Sequence, residues 1–130
     1  MDVVAPLSPT TSSRLETSEV DLLARVFSGL SDTTRLQILL LLLERERNVS
    51  ELVAHVGASQ GRVSMHLQCL RLCGFVASER RGKYVYYRVR DGRVRELIAL
   101  AGAFAASYHQ ELASCAILDQ EVTRSENQVV

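Results

Sequence analysis

Apolar residues recur along this chain at two different periods, and the change of period marks its organisation. Val20, Leu22, Leu23, Val26, Phe27 and Leu30 return at helical spacing. They predict a first helix opening at Thr17 or Ser18, whose hydroxyl caps it while Glu19 and Asp21 lie near its positive end. Ser31 reads as the N-cap of a second helix through "TTRLQILLLLLERE". That stretch is apolar nearly all round over residues 36–43, which predicts the central core helix. Asn48 with Glu51 three residues on is a capping box, opening a short third helix, "SELVAHV", that Gly57 ends. Ser59 caps a fourth helix, "QGRVSMHLQCLRLC", with Val63, Leu67 and Leu70 toward the core and Gly74 at its close. The period then drops to two. "FVASERRGKYVYYRVR" holds two β-prone runs, over residues 75–78 and 84–89, around the turn "ERRGK". Asp91 starts a last, long helix, "GRVRELIALAGAFAASYHQELAS".

Two helices joined by a turn of about three residues containing glycine form a helix-turn-helix, and a hairpin after them supplies a wing. The predicted fold is therefore mainly α with a β-hairpin, a winged helix-turn-helix. Residues 1–15 hold both prolines and many Ser and Thr, and are expected to be a disordered arm. Residues 16–114 are expected to form one domain and residues 115–130 a flexible tail. A chain of 130 residues that is 47% hydrophobic buries a small core, so shared burial in a homodimer is expected to add to it. The longest apolar run falls well short of the roughly 18 residues a membrane span needs. The start, "MDVVAPLSPTTSS", lacks the basic and apolar segments of a secretory signal. A cytoplasmic location with reduced cysteines and no membrane partner is the expectation.

The formal net charge is zero, but the charge is segregated. Residues 1–58 carry five Arg against eight acids, residues 59–90 seven Lys and Arg against Glu79 alone, and residues 91–130 three Arg against six acids. A basic block between acidic ones predicts contact with a polyanion. The fourth helix is the one such a module places in the major groove. Its expected exposed readers are Gln60, Arg62, Ser64, His66 and Gln68. Gln matches the edge of adenine and Arg that of guanine. Ser59 and Ser64 are expected on phosphate oxygens, and Gly61 lets the backbone approach one. In the wing, Arg80, Arg81 and Lys83 supply charge, and Tyr84 or Tyr86 a hydroxyl.

Three stretches, "LSDTTRLQILLLL", "SQGRVSMHLQCLRLCGFV" and "RRGKYVYYRV", resemble the ArsR/SmtB family of metal-responsive repressors. Leu30, Ser31, Asp32, Arg35, Leu36, Ile38 and Leu39 match its second-helix pattern. Ser59, Val63, Ser64, His66, Leu67, Leu70, Gly74, Phe75 and Val76 match its recognition segment, and Gly82 and Tyr87 its wing. The resemblance covers about residues 20 to 113. It implies a homodimeric repressor of double-stranded operator DNA, built on the first and last helices and released by an inducer.

Cys69 and Cys73 stand four apart, which puts their Cβ atoms about 5–6 Å from one another on one helical face. Two thiolates so placed reach one metal ion, and Cys115, near the end of the last helix, is a candidate third. Cysteine is also a common small core residue, and spacing leaves both readings open. "CLRLCG" is similar to the sequence of the CmtR-like branch, which senses cadmium and lead through two thiols on this helix and one from the C-terminal region. That resemblance implies a metal site of Cys69, Cys73 and Cys115. Thiolate ligands favour Cd(II) and Pb(II), with Hg(II) or As(III) as further candidates. Neither the Cys-x-Cys of the founding branch nor the paired Asp and His ligands of zinc and nickel sensors occur. His109 stands alone and is at most an auxiliary ligand, and His55 is expected to be a helix-three residue without a role. The alternative is a repressor that uses the same cysteines as a redox switch. An enzyme is not expected, because no nucleophile, base and orienting group stand at recognisable spacing.

Overall fold

The computed structural model describes residues 13–120. The elements run α1 (Ser13–Leu30), α2 (Thr33–Glu44), β1 (Arg47–Asn48), α3 (Val49–Val56), α4 (Gln60–Leu72), β2 (Val76–Arg81), β3 (Tyr84–Val89), α5 (Gly92–Ser107) and α6 (His109–Ala113). This is the expected winged helix-turn-helix, with boundaries set by local chemistry. The capping box at Asn48 and Glu51 is formed in both directions, and Gly57 closes α3 in the left-handed conformation at φ 78°. Ser59 then accepts the Arg62 amide at 3.2 Å and opens α4. The turn between the two helices is thus three residues long. Gly74, at φ 87°, lets the chain reverse after α4 so that the Phe75 amide reaches back to the Leu70 carbonyl at 2.9 Å.

Several boundaries differ from expectation. The cap of α2 is Asp32, whose carboxylate accepts the Arg35 amide at 3.0 Å, and not Ser31. α1 begins at Ser13, before the expected caps, where Arg14, Leu15 and Glu16 are all good helix formers. Residues 13–15 of the expected disordered arm are therefore helical, and the rest of it lies outside the described residues, as do residues 121–130 of the tail. The last helix breaks at Tyr108, where φ is −119° and ψ 38°, so α6 is a separate short turn. The second wing strand coincides with its β-prone run, but the first runs on past Ser78 to Arg81. Pairing continues to Arg81↔Tyr84, leaving Gly82 and Lys83 as a tight two-residue turn.

A third strand went unread. β1 pairs with β3 through Arg47↔Tyr87 and Asn48↔Tyr86, so the sheet runs β1-β3-β2. Two residues are too few to show a period, and one is an arginine that the fold buries. Arg47 is held by the Leu41 carbonyl at 3.1 Å and the Glu44 carboxylate at 2.7 Å. The core gathers Ile38, Leu39 and Leu42 of α2, Leu52 of α3, Val63, Leu67 and Leu70 of α4, Phe75 and Val76 at the wing base, and Val94 of α5. α2 is central as expected, although Leu40 faces outward. No single helix among the described residues is long and apolar enough to cross a membrane.

Candidate nucleic-acid interface and thiol pair

α4 divides cleanly into a buried and an exposed face. Val63, Leu67 and Leu70 anchor it, so Gln60, Gly61, Arg62, Ser64 and Gln68 stand in solvent, joined by Met65. Ser59 accepts a backbone amide as cap, which leaves its hydroxyl proton free for a phosphate oxygen. Nothing lies within 4 Å of a Cβ built on Gly61, so that surface is open to a close approach.

His66 departs from the expected set. It is only 1% exposed and lies under α4, not on its groove side. Positions 63, 66, 67 and 70 form one helical stripe, and His66 belongs to it. Its Nδ1 meets Arg35 Nη1 at 3.4 Å, and its Nε2 lies 3.8 Å from Asp32 Oδ1 without a hydrogen-bond partner. Burial holds this imidazole below the ordinary histidine value of 6.5, against the pull of Asp32. The unfolded chain takes up a proton near that pH which the folded chain refuses. Stability is therefore expected to be full above pH 6.5 and to decline as pH falls below it. Urea unfolding of the protein and of His66→Gln between pH 7.5 and 5 checks this, and the variant should lose most of the slope.

The wing also rearranges the expected charges. Arg81 donates to Glu46 Oε2 at 2.8 Å and to Glu79 Oε1 at 2.6 Å, and stacks on the Tyr86 ring at 4.9 Å. Those contacts hold Glu46 below the usual carboxylate range and spend most of the Arg81 charge inside the protein. Sequence reading missed Glu46, which is 35 residues away. Arg80 and Lys83 are exposed near the hairpin tip, with Lys83 over the Tyr84 ring at 5.5 Å.

Cys69 and Cys73 sit on the last turn of α4, and Cys73 is its C-cap. Cys69 is half-buried and Cys73 exposed. Burial, and then the Cys69 sulfur, raise the Cys73 thiol above its ordinary value, so it is protonated at neutral pH. Any metal held there must displace protons. Beside Cys73 opens a cavity of about 640 Å³ among α1, α4 and α5, walled by Val26, Phe75, Val94, Leu97 and Leu100, with Asp91, Arg93 and Glu96 at its edge. Cys115, just past α6, is half-buried. No group of three His, Cys, Asp or Glu able to hold one ion occurs among the described residues. The soft-donor pair thus suits a thiophilic ion, but the expected third thiol is not brought to it within one protomer.

A helix-turn-helix with an exposed polar recognition face and a cationic wing defines a DNA-binding module of the transcriptional-regulator class. Residues 32–78 match the model of the bacterial regulatory protein, arsR family. The chain is 44% identical over 113 residues to the probable mercury resistance operon repressor of Streptomyces lividans, covering 83% of this chain and 90% of that one. It is 40% identical over 72 residues to the regulator CmtR of Mycobacterium bovis, covering 55% of this chain and 61% of that one. Its fold matches the solution structure of the homodimeric winged helix-turn-helix DNA-binding domain Mb0332 of Mycobacterium bovis. The TM-score is 0.67 at 35% identity, over 80% of this chain and 94% of that one. This protein belongs to the arsR family, whose members are transcriptional regulators and not enzymes.

Proposed function

We propose that this protein is a homodimeric repressor that leaves its operator when a thiophilic metal ion binds Cys69, Cys73 and the partner's Cys115. The placement of Cys69 and Cys73 one turn apart at the end of α4, the very helix whose exposed face fits the groove, carries the reading. The likeness to a mercury resistance repressor and to CmtR supports it. Gln60, Arg62, Ser64 and Gln68 read base edges, Ser59 and the Gly61 backbone meet phosphates, and Arg80, Lys83 and Tyr84 follow the backbone from the wing. Arg81 shapes the wing more than it contacts DNA, and His66 supports the helix from beneath. Among the described residues of one protomer no third donor joins the pair, which supports a contribution of Cys115 from the partner.

Three thiolates select Cd(II), Pb(II), Hg(II) or As(III) over harder ions. The test is a titration of reduced protein with each of these, following thiolate–metal absorption and operator release together. One ion is expected to saturate both signals at one equivalent per site, with binding that tightens as pH rises because thiol protons are displaced. Operator release by peroxide but by none of these ions would instead make the cysteines a redox switch.

A further inference from the structure

Resting on the thiol-pair reading, we propose that Gly29 and Arg35 form the relay that couples occupancy of Cys73 to the recognition helix, with Arg35 as a positioning residue rather than a ligand. The last turn of α1 is clasped from two sides. On one side Gly29 packs against the wing base and the thiols. A Cβ built there would lie 2.9 Å from the Phe75 ring edge and 3.7 Å from Cys73 Sγ. The first distance is one that real Cβ atoms essentially never show, so glycine is needed for this approach. On the other side the Arg35 guanidinium takes the α1 carbonyls, Nε to Gly29 O at 2.7 Å and Nη2 to Ser28 O at 3.2 Å. Its remaining nitrogen, Nη1, turns to His66 Nδ1 in α4. His66 is buried and, among the described residues, Arg35 is its one side-chain hydrogen-bond partner, so a shift of Arg35 reaches α4 directly.

Cys73 Sγ thus lies beside the Gly29 backbone, and Gly29, Arg35 and His66 follow one another as hydrogen-bonded neighbours. An ion held by Cys73 would need room beside the Gly29 backbone, where a Cβ already has none. Displacing that backbone moves the carbonyls that Arg35 holds, and α1 and α4 respond together. Two sites are then linked by one element that both bias, which is the physical content of coupling.

Two variants test the relay. Arg35→Lys keeps the charge but cannot hold two carbonyls and an imidazole at once. It is expected to bind Cd(II) within about threefold of the parent by thiolate–metal absorption, while metal-driven operator release falls from roughly 150-fold to under 10-fold. Gly29→Ala places a methyl where the displacement would occur. Without metal it is expected to bind operator at least 10-fold more weakly, with little further loss on adding Cd(II), and Phe75→Leu in the same chain should restore tight binding by vacating the ring edge. Release by metal at the parental factor in Arg35→Lys would overturn the proposal. So would operator binding and release of Gly29→Ala like the parent's. Should Arg35→Lys not fold by circular dichroism, the Gly29→Ala and Phe75→Leu pair decides alone. Loss of metal response in Cys73→Ser with the relay variants unaffected marks failure of the relay only. A full response in Cys73→Ser marks failure of the thiol reading beneath it.

Discussion

Replacing Cys69 or Cys73 by serine is expected to leave operator binding within about threefold and to abolish release by metal. Neither sulfur belongs to the core. Cys73 is exposed at the helix cap and Cys69 only half-buried, so serine is tolerated at both. Neither lies on the groove-facing set that begins at Gln60 and runs through Arg62, Ser64 and Gln68. What serine removes is the soft donor, because a hydroxyl neither ionises near neutral pH nor suits a thiophilic ion. A coupling of about 3 kcal/mol, which corresponds to roughly 150-fold in operator affinity, should collapse to near unity. Fluorescence anisotropy on labelled operator, with and without Cd(II) or Hg(II), measures it. A variant of either cysteine that still releases fully would place the sensor elsewhere.

Phe104→Glu is expected to convert the dimer to monomers at micromolar concentration and to weaken operator binding at least 100-fold. α1 and α5 leave large apolar groups in water, among them Leu22, Phe27, Leu100 at 72% exposure and Phe104 at 59%. Phe104 stacks on Tyr108 with centroids 4.8 Å apart, which makes one continuous aromatic surface. A contiguous patch of this kind marks an interface, and a second copy covers it in the proposed homodimer. A carboxylate there must be desolvated without a partner, which costs several kcal/mol. The monomer retains one recognition helix and loses the gain from engaging two half-sites at once. Sedimentation equilibrium and operator titration read the two effects separately. A Phe104→Glu protein that stays dimeric and binds tightly would exclude this face as the interface.

The fold was legible because its signals are local. Asn48 with Glu51, Gly57, Ser59 and Gly74 fix their helix ends through groups within five residues, and each could be read from the chain. The elements that escaped depend on distant partners. β1 exists only because β3 returns to it, and Arg81 is neutralised by a glutamate from the other end of the sheet. His66 shows the same limit within the site. A histidine between Met65 and Leu67 reads as a groove contact, yet its position on the stripe with Val63 and Leu70 places it beneath the helix. The stripe was available in the sequence, and the residue type outweighed it. The thiol pair was visible from its spacing, whereas the third ligand proposed for it would come from a second chain, which spacing along one chain does not show.

The short pairing of Arg47 and Asn48 with Tyr87 and Tyr86 welds the hairpin to the body that carries α4. Each protomer consequently offers DNA a stiff reading head, and the distance between two such heads belongs to the dimer alone. The operator then acts as a ruler. One extra base pair between its halves swings the second half about 35° around the duplex axis, beyond what a rigid pair of heads follows. In the proposed repressor, an inducer that shifts α1 and α4 enough to alter the span between the heads is sufficient to release the operator.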